Sequence, residues 1–264
     1  MAHVNRRIGK SSETANPTAD GTGGGVLDAF LHDYFNRSGN LVTNPGNAIQ
    51  EGLTATGGVI NDFTQSGTVY RSHIFTQSGN FVVTAIGEQP ANVDYLVVAG
   101  GGGGGGAPSG AGGRAGGGAG GLRSSHPDMP SPAKGSAFTV SAGPTSYTIT
   151  IGAGGRGGSN NSETDGTRGG NSSVAGPDIT TITTSGGGAG GENNPLKSGG
   201  SGAGGSPGGG SGNTPPQPGQ LGNSGGTAGG GGTSGGGGGG AGAAAADGDS
   251  SQGETSGDVS QILL

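Results

Sequence analysis

One junction in the sequence constrains the fold more than any other feature. The β-like stretch Tyr95-Leu-Val-Val-Ala-Gly100 runs directly into six more glycines, 101–106, and glycine then dominates as far as Ala246. Of the 71 glycines in the chain, 58 lie after Ala99. Roughly one residue in three is therefore glycine in this part, against an average usage of about 7%. Because glycine loses the most backbone entropy on folding and buries no side chain, this part cannot form an ordinary helical or sheet domain.

The composition also limits what can hold such a chain together. Hydrophobic residues make up 27% of the sequence and aromatic residues 4%, which leaves little material for a conventional core. The chain has no cysteine, which excludes disulfides and thiolate-bound metals. Disorder is one interpretation of the glycine-rich half, but only 11% of the residues are charged and the net charge is −6, unlike a strongly charged disordered tail. A compact state must rest on backbone hydrogen bonds and close packing.

The first domain that we predict, residues 1–61, consists of a polar arm and one short helix. Apolar residues recur at helical spacing in the segment 26–35: Val26, Leu27, Phe30, Leu31, Tyr34 and Phe35. Ten residues are too few for a stable isolated helix in water, so this apolar face should dock on the rest of the chain, on a second copy or on another protein.

Residues 62–99 change to a period of two, which predicts a small antiparallel β unit. The segments 68–75, 80–86 and 93–99 are rich in Val, Ile, Tyr, Phe and Thr and are separated by turn residues. The pentapeptide Phe63-Thr-Gln-Ser-Gly67 recurs as Phe75-Thr-Gln-Ser-Gly79, which predicts a hairpin unit repeated once.

In residues 100–246 glycine runs alternate with polar or proline-bearing inserts. The glycines do not follow a strict Gly-X-Y period, which excludes a collagen triple helix. We predict side-by-side polyglycine-II helices, which resemble polyproline II: each has three residues per turn and bonds only to its neighbours. Two β-like segments, 137–140 with 146–151 and 179–184, should continue or cap the upstream β unit. The predicted fold class is thus mostly irregular and β, with exposed loops between glycine helices.

An ordered series of motifs resembles the glycine-rich domains of tail fibres and other tail-associated virion proteins of tailed bacteriophages. The series comprises His73-Ile-Phe-Thr-Gln-Ser-Gly-Asn-Phe-Val-Val-Thr84, Val93-Asp-Tyr-Leu-Val-Val-Ala-Gly100 with its glycine run, Gly120-Gly-Leu-Arg-Ser124 and Tyr147-Thr-Ile-Thr-Ile-Gly-Ala-Gly-Gly155. The resemblance covers about residues 63–246. The chain is also similar to phage adhesins built from polyglycine-II helices whose loops contact the host surface. It departs from the first group after the last glycine run, where residues 250–264 lack an obvious closing hydrophobic strand.

The resemblance implies a non-enzymatic virion protein that presents loops to a bacterial surface receptor, either a protein or a glycan. Two inserts combine prolines with polar groups and a few apolar side chains, and they supply the candidate receptor contacts: Leu122, Arg123, His126, Asp128 and Met129 in one, and Asn213, Gln217, Gln220 and Leu221 in the other. The arm and helix of residues 1–61 would attach to other virion proteins. A homo-oligomer is expected, for which a trimer is one candidate.

Motifs for other functions are weak. Gly-x-Gly-x-x-Gly occurs repeatedly, but no helix can start within 100–121 to face a pyrophosphate. The two Arg-Gly-Gly units, at Arg156 and Arg168, stand in an acidic chain and do not favour nucleic acid. The four histidines have no metal-ligand spacing, and Asp247, with the acidic tail 247–264, imitates a calcium loop that lacks its turn glycine. No apolar stretch is long enough to cross a membrane. We therefore predict no cofactor, metal, catalytic residue, nucleic-acid partner or membrane insertion.

Two alternatives stay open at this point. The protein could be a purely architectural spacer or decoration of a virion, without receptor contact. It could also be a disordered glycine-rich matrix or RNA-associated protein. The first alternative has the same sequence features as the adhesin, whereas the second predicts that the amides of the glycine runs exchange freely with solvent.

Overall fold

The computed structural model describes residues 52–106, 115–141, 143–159, 165–192, 195–206, 208–229 and 235–248. The helix predicted over residues 26–35 and the part of the acidic tail beyond Gly248 lie outside these ranges. Within them, strand is the only regular secondary structure, and no residue is helical. The coarse prediction of a β and irregular fold is confirmed for this part of the chain.

Thirteen short strands, numbered in chain order, are present in the described ranges. Their bounds are β1 Thr54–Thr56, β2 Val59–Gln65, β3 Thr68–Ile74, β4 Gly79–Ala85, β5 Asn92–Val93, β6 Leu96–Val98, β7 Leu122–Ser124, β8 Phe138–Thr139, β9 Thr145–Thr150, β10 Ser172–Gly176, β11 Ile179–Thr184, β12 Gly191–Glu192 and β13 Gly205–Ser206.

The largest sheet is antiparallel, with the strand order β1-β4-β9-β10-β11. The period of two places alternate residues of β4 and β9 on one buried face, where Phe81 lies opposite Tyr147. Tyr147 and Val83 are completely buried, and they belong to a hydrophobic core that also includes Val97 and Val140 from outside the sheet. The prediction that the later β-like segments continue the upstream β unit is therefore confirmed, because β9 and β11 join β4 in one sheet.

β2 and β3 form a separate hairpin whose seven residue pairs run from Val59 opposite Ile74 to Gln65 opposite Thr68. The turn at Ser66 and Gly67 follows the first Phe-Thr-Gln-Ser-Gly copy, and Ser66 adopts a left-handed φ of 50°. The predicted repeat of this hairpin is wrong. After the second copy β4 pairs with β1 and β9 instead of β3, because its apolar residues belong to the main core.

The hairpin also carries an apolar face that the described residues leave exposed. Pairing places four large side chains on this face, at the non-consecutive positions Val59, Phe63, Tyr70 and Ile74. Each is at least 46% exposed, and the Phe63 and Tyr70 rings stack at 5.4 Å. Two-stranded hairpins are marginally stable alone in water, so this face is a candidate contact surface.

The glycine segments bond to one another through the main chain. Along segment 100–106 the partner segment repeats every three residues, and donors and acceptors face different neighbours. The N–H groups of Gly100 and Gly103 donate to segment 165–170, and those of Gly102 and Gly105 donate to segment 115–121. The carbonyls of Gly101 and Gly104 accept from segment 152–158. All these N–O distances are 2.7–3.0 Å. These bonds pair main-chain N–H and C=O groups between neighbouring segments, where glycine supplies no side chain to pack.

Candidate functional site

The two inserts singled out in the sequence lie side by side. Leu122 and Leu221 form an antiparallel bridge in which the Leu122 N–H donates to the Leu221 carbonyl at 3.1 Å, and the reverse bond is 2.8 Å long. Leu122 also lies opposite Val98 in the β6–β7 pair. The start of the first insert is therefore fixed between a strand of the β unit and the end of the second insert.

The apolar candidates of both inserts form a second hydrophobic core. Leu122 and Met129 are 7% and 5% exposed, and they pack with Ala133, Ala241 and the partly buried Leu221. Receptor contact was predicted for these three candidates. Burial leaves Leu122 and Met129 almost no surface for a partner, so they have a packing role. Leu221 packs against the same core but keeps part of its surface exposed.

Two polar candidates of the second insert hold the shape of that loop. Gln220 is completely buried; its Oε1 accepts the Ser185 N–H at 2.6 Å and its Nε2 donates to Asn213 Oδ1 at 3.2 Å. The same Asn213 oxygen accepts the Gln217 N–H at 2.9 Å, while Asn213 has a left-handed φ of 49°. Asparagine tolerates this conformation better than most residues. Gln220 therefore has no surface for a receptor contact, and Asn213 closes the loop.

The exposed receptor-contact candidates lie mainly on the first insert, with Gln217 as the partly exposed candidate of the second insert. The loop after β7 is closed at its base, where the Ser124 N–H donates to the Ala133 carbonyl at 3.0 Å. On this loop Asp128 is exposed, and its N–H donates to Nδ1 of the half-exposed His126 at 3.3 Å. Arg123 and Gln217 are also partly exposed. These four side chains remain available for contact with another molecule.

A cleft of about 630 Å³ opens between these loops and the β unit. We call it the loop–sheet cleft and define it by six lining residues: Tyr95, Arg123, Lys134, Phe138, Asp178 and Gly219. The Tyr95 and Phe138 rings stack with their centres 6.4 Å apart. Lys134 Nζ donates to the Pro127 carbonyl at 2.7 Å, which ties the first insert to the rim of the cleft.

Asp178 joins the cleft to the main core. Its Oδ2 accepts hydrogen bonds from the Tyr147 hydroxyl at 3.0 Å and from the Ser141 N–H at 3.1 Å. Burial of the carboxyl opposes its ionisation, but these hydrogen bonds outweigh burial, and the pKa of Asp178 lies below its ordinary value. Burial, together with the bond to Asp178, raises the pKa of Tyr147 well above its ordinary value. The carboxyl is therefore ionised and the phenol neutral at physiological pH.

Two buried side-chain polar atoms in the described part of the chain lack a hydrogen-bond partner, and both belong to residues of this cleft. They are Arg123 Nε and Asp178 Oδ1. The Arg123 atom lies close to two glycine backbones, since a Cβ at Gly219 or Gly135 would come within 3.2 or 3.4 Å of it. Gly219 also has a left-handed φ of 69°, so both the limited space and the backbone conformation favour glycine at this position.

The described ranges contain no group of three or more His, Asp or Glu side chains placed to share a metal ion. Nor do they contain a helix of the length and apolarity that a membrane span requires.

These features together define the class of protein. It is a glycine-rich domain in which glycine segments bond to one another through the main chain, and the inserts between them supply the larger side chains. A family profile described as "Glycine-rich domain" matches residues 76–262, and the chain belongs to that family. No curated protein and no solved structure matches the chain significantly.

Only part of the cleft lining could be predicted from the sequence. Arg123 was a candidate, whereas Tyr95, Phe138 and Asp178 were not. Tyr95 and Phe138 stood in segments predicted as strands, with nothing to distinguish them from core residues. Asp178 is a single carboxylate in a turn between β10 and β11, and only the fold brings it to the cleft.

Proposed function

We propose that this chain is a structural protein of a tailed-bacteriophage virion, a tail fibre or tail-tip adhesin that presents its inserts to a host-cell surface. The observation that carries the proposal is the adjacency of the two inserts, joined through Leu122 and Leu221 and seated on glycine segments. The phage context of the proposal rests on the resemblance of the ordered motif series along residues 63–246 to tail-associated virion proteins. Loops on a fixed scaffold are where recognition residues normally lie.

The scaffold that we propose is a pack of polyglycine-II helices. The three-residue repeat of partners along segment 100–106 supports it, because a polyproline-II-like helix has three residues per turn and no internal hydrogen bonds. Segment 115–121 shows the same repeat, since Gly116 and Ala119 both donate to segment 235–240. These bonds favour a packed domain over a disordered glycine-rich matrix or RNA-associated protein.

The partners that we propose are other virion proteins, further copies of this chain and a bacterial surface receptor of protein or glycan. Residues 1–61 would provide attachment to the virion. The apolar face of the β2–β3 hairpin is a further contact surface for a homo-oligomer, a trimer being one candidate. Among the receptor-contact candidates we retain Arg123, His126, Asp128 and Gln217, because the structure leaves them partly or fully exposed.

Antibody labelling of the phage that encodes this chain tests the proposal. Antibodies raised against the purified protein should mark the tail or its fibres in electron micrographs, and their Fab fragments should block adsorption to the host. Label on the capsid would contradict the tail assignment. Tail label without any block of adsorption would favour the alternative of an architectural spacer.

A second experiment tests the exposed loop itself. The double variant His126→Ala/Asp128→Ala removes two exposed side chains and should weaken binding of the purified protein to host cells. The matched control, Thr148→Ala/Thr150→Ala, alters two exposed residues of β9, outside both inserts, and should bind normally. Equal binding of both variants would exclude this loop from the receptor contact.

A further inference from the structure

We infer that the loop–sheet cleft binds an acidic saccharide, a sugar ring that carries a carboxylate. This inference rests on the proposed function, since it names the chemistry of the receptor. The volume of about 630 Å³ falls within the range of small-ligand pockets, about 300–1,000 Å³. The cleft is larger than a side-chain gap and lies beside the exposed insert.

The charged side chains of the cleft favour a polar ligand. Arg123 and Asp178 both line the cleft and keep part of their surface exposed. Arg123 Nε and Asp178 Oδ1 are themselves enclosed, so a ligand would meet the other polar atoms of these two side chains. Sugar hydroxyls donate and accept at once, so a saccharide can serve a guanidinium and a carboxylate together.

The aromatic wall suits the apolar face of a sugar ring. The stacked rings of Tyr95 and Phe138 are both partly exposed beside the charged groups. An aromatic wall with a few fixed polar groups is the usual composition of a small-molecule site. Phe138 also packs against the buried Tyr147 with ring centres 5.1 Å apart, which holds the wall in place.

The charge of the cleft selects an acidic ligand. Six Lys or Arg residues lie in the described ranges, and two of them, Arg123 and Lys134, line this cleft in a chain of net charge −6. Asp178 offsets only one of these positive charges. A carboxylate can take a bidentate bond from a guanidinium, and Arg123 starts partly ordered because its Nε lies beside the backbones of Gly135 and Gly219.

The test is saturation-transfer NMR with the full-length protein and two probes, methyl β-glucuronoside and methyl β-glucoside. The glucuronoside should bind at least tenfold more tightly than the glucoside, with the strongest transfer at ring protons. Arg123→Gln should weaken glucuronoside binding at least tenfold. Lys134→Gln, a change at an exposed side chain, should weaken it several-fold and serves if Arg123→Gln does not fold. Arg156→Gln, at an exposed arginine outside the cleft, is the matched control and should bind normally.

Several results would overturn the inference. These are the absence of binding by either probe, equal affinity for both, or glucuronoside binding that neither cleft variant changes. Probe binding that depends on Arg123 or Lys134 supports the cleft site whatever the adsorption assay shows. Normal adsorption by a protein that binds neither probe overturns the cleft site and leaves the adhesin proposal standing.

Discussion

Adding a single methyl group to a glycine segment tests whether main-chain bonding holds the glycine-rich part together. Gly102 and Gly154 form a matched pair for this purpose. A Cβ on Gly102 would overlap the carbonyl oxygen of Gly188, whereas the nearest atom to a Cβ on Gly154 is the Gly101 oxygen at 3.9 Å, an ordinary contact. We therefore compare Gly102→Ala with Gly154→Ala.

The contacts of Gly102 and Gly154 set the expected change in the free energy of unfolding of each variant. The Gly188 carbonyl accepts the Gly118 N–H at 2.9 Å, so displacing it leaves one buried donor and one buried acceptor unpaired. Each such group costs about 1–3 kcal/mol. Alanine also restricts the unfolded chain, which returns about 0.4–1 kcal/mol where the backbone conformation suits it. Gly102→Ala should therefore lower the free energy of unfolding by about 1–6 kcal/mol, and Gly154→Ala should leave it unchanged or raise it by up to about 1 kcal/mol.

Urea denaturation followed by tyrosine fluorescence, with thermal melting as a second measurement, checks the comparison. For a unit of this size each kcal/mol shifts the melting temperature by roughly 2–4 °C, so the two variants should separate clearly. Amide exchange should also quicken at Gly118 in the Gly102→Ala protein alone. Equal stability of the two variants would refute the argument that close main-chain contact between glycine segments carries the fold.

Three further predictions concern the core, the second insert and the hairpin. Tyr147→Phe removes the hydrogen bond to the Asp178 carboxylate and should cost about 1.5–3 kcal/mol at pH 7. Because the pKa of Asp178 is lowered in the folded protein, this stabilisation is present above the carboxyl pKa of the unfolded chain and is lost as pH falls through the carboxyl pKa of the folded protein. In urea denaturation, the stability difference between the wild-type protein and Tyr147→Phe should therefore be smaller at pH 2 than at pH 7. Gln220→Ala should lower the free energy of unfolding by about 2–4 kcal/mol, because it leaves the Ser185 N–H unpaired and creates a buried gap. Gln217 is partly exposed, so Gln217→Ala should change the free energy of unfolding by less than about 0.5 kcal/mol. Sedimentation should show that the wild-type protein is an oligomer. Phe63→Asp should dissociate this oligomer, because it places a charge on the exposed apolar face of the hairpin. A monomeric wild-type protein would contradict the proposed homo-oligomer.

Several strands whose side chains carry a period of two were predicted from the sequence. The segment predicted over 179–184 coincides with β11, and the predicted strand 146–151 lies one residue from β9. β10, with the sequence Ser-Ser-Val-Ala-Gly, was not predicted, because only Val174 in it favours a strand. Its conformation comes from its neighbours, since it pairs with β9 on one side and β11 on the other.

The candidate site was predicted less completely, for a different physical reason. Isolated apolar residues in polar inserts look alike whether they contact a receptor or fill a small core. Leu122 and Met129 proved to be core residues because they belong to one buried cluster with Ala241, more than 100 residues further along the chain. A pairing over that distance leaves no local signal in composition or spacing, so only the fold distinguishes the two roles.

Register is the property that glycine runs cannot specify for themselves. Sliding one glycine segment by three residues along its neighbour would recreate the same main-chain bonds, just as repetitive strands are prone to slip. Side chains at the segment ends remove this ambiguity. Asn171 Oδ1 accepts the Gly186 N–H at 2.9 Å, Gln220 Oε1 accepts the Ser185 N–H at 2.6 Å, and Asn223 Nδ2 donates to the Ala241 carbonyl at 3.0 Å. A slip by three residues would break such bonds and leave buried polar groups unpaired. The polar residues of the inserts therefore fix the alignment of the glycine segments, and through it the positions of the loops that border the cleft.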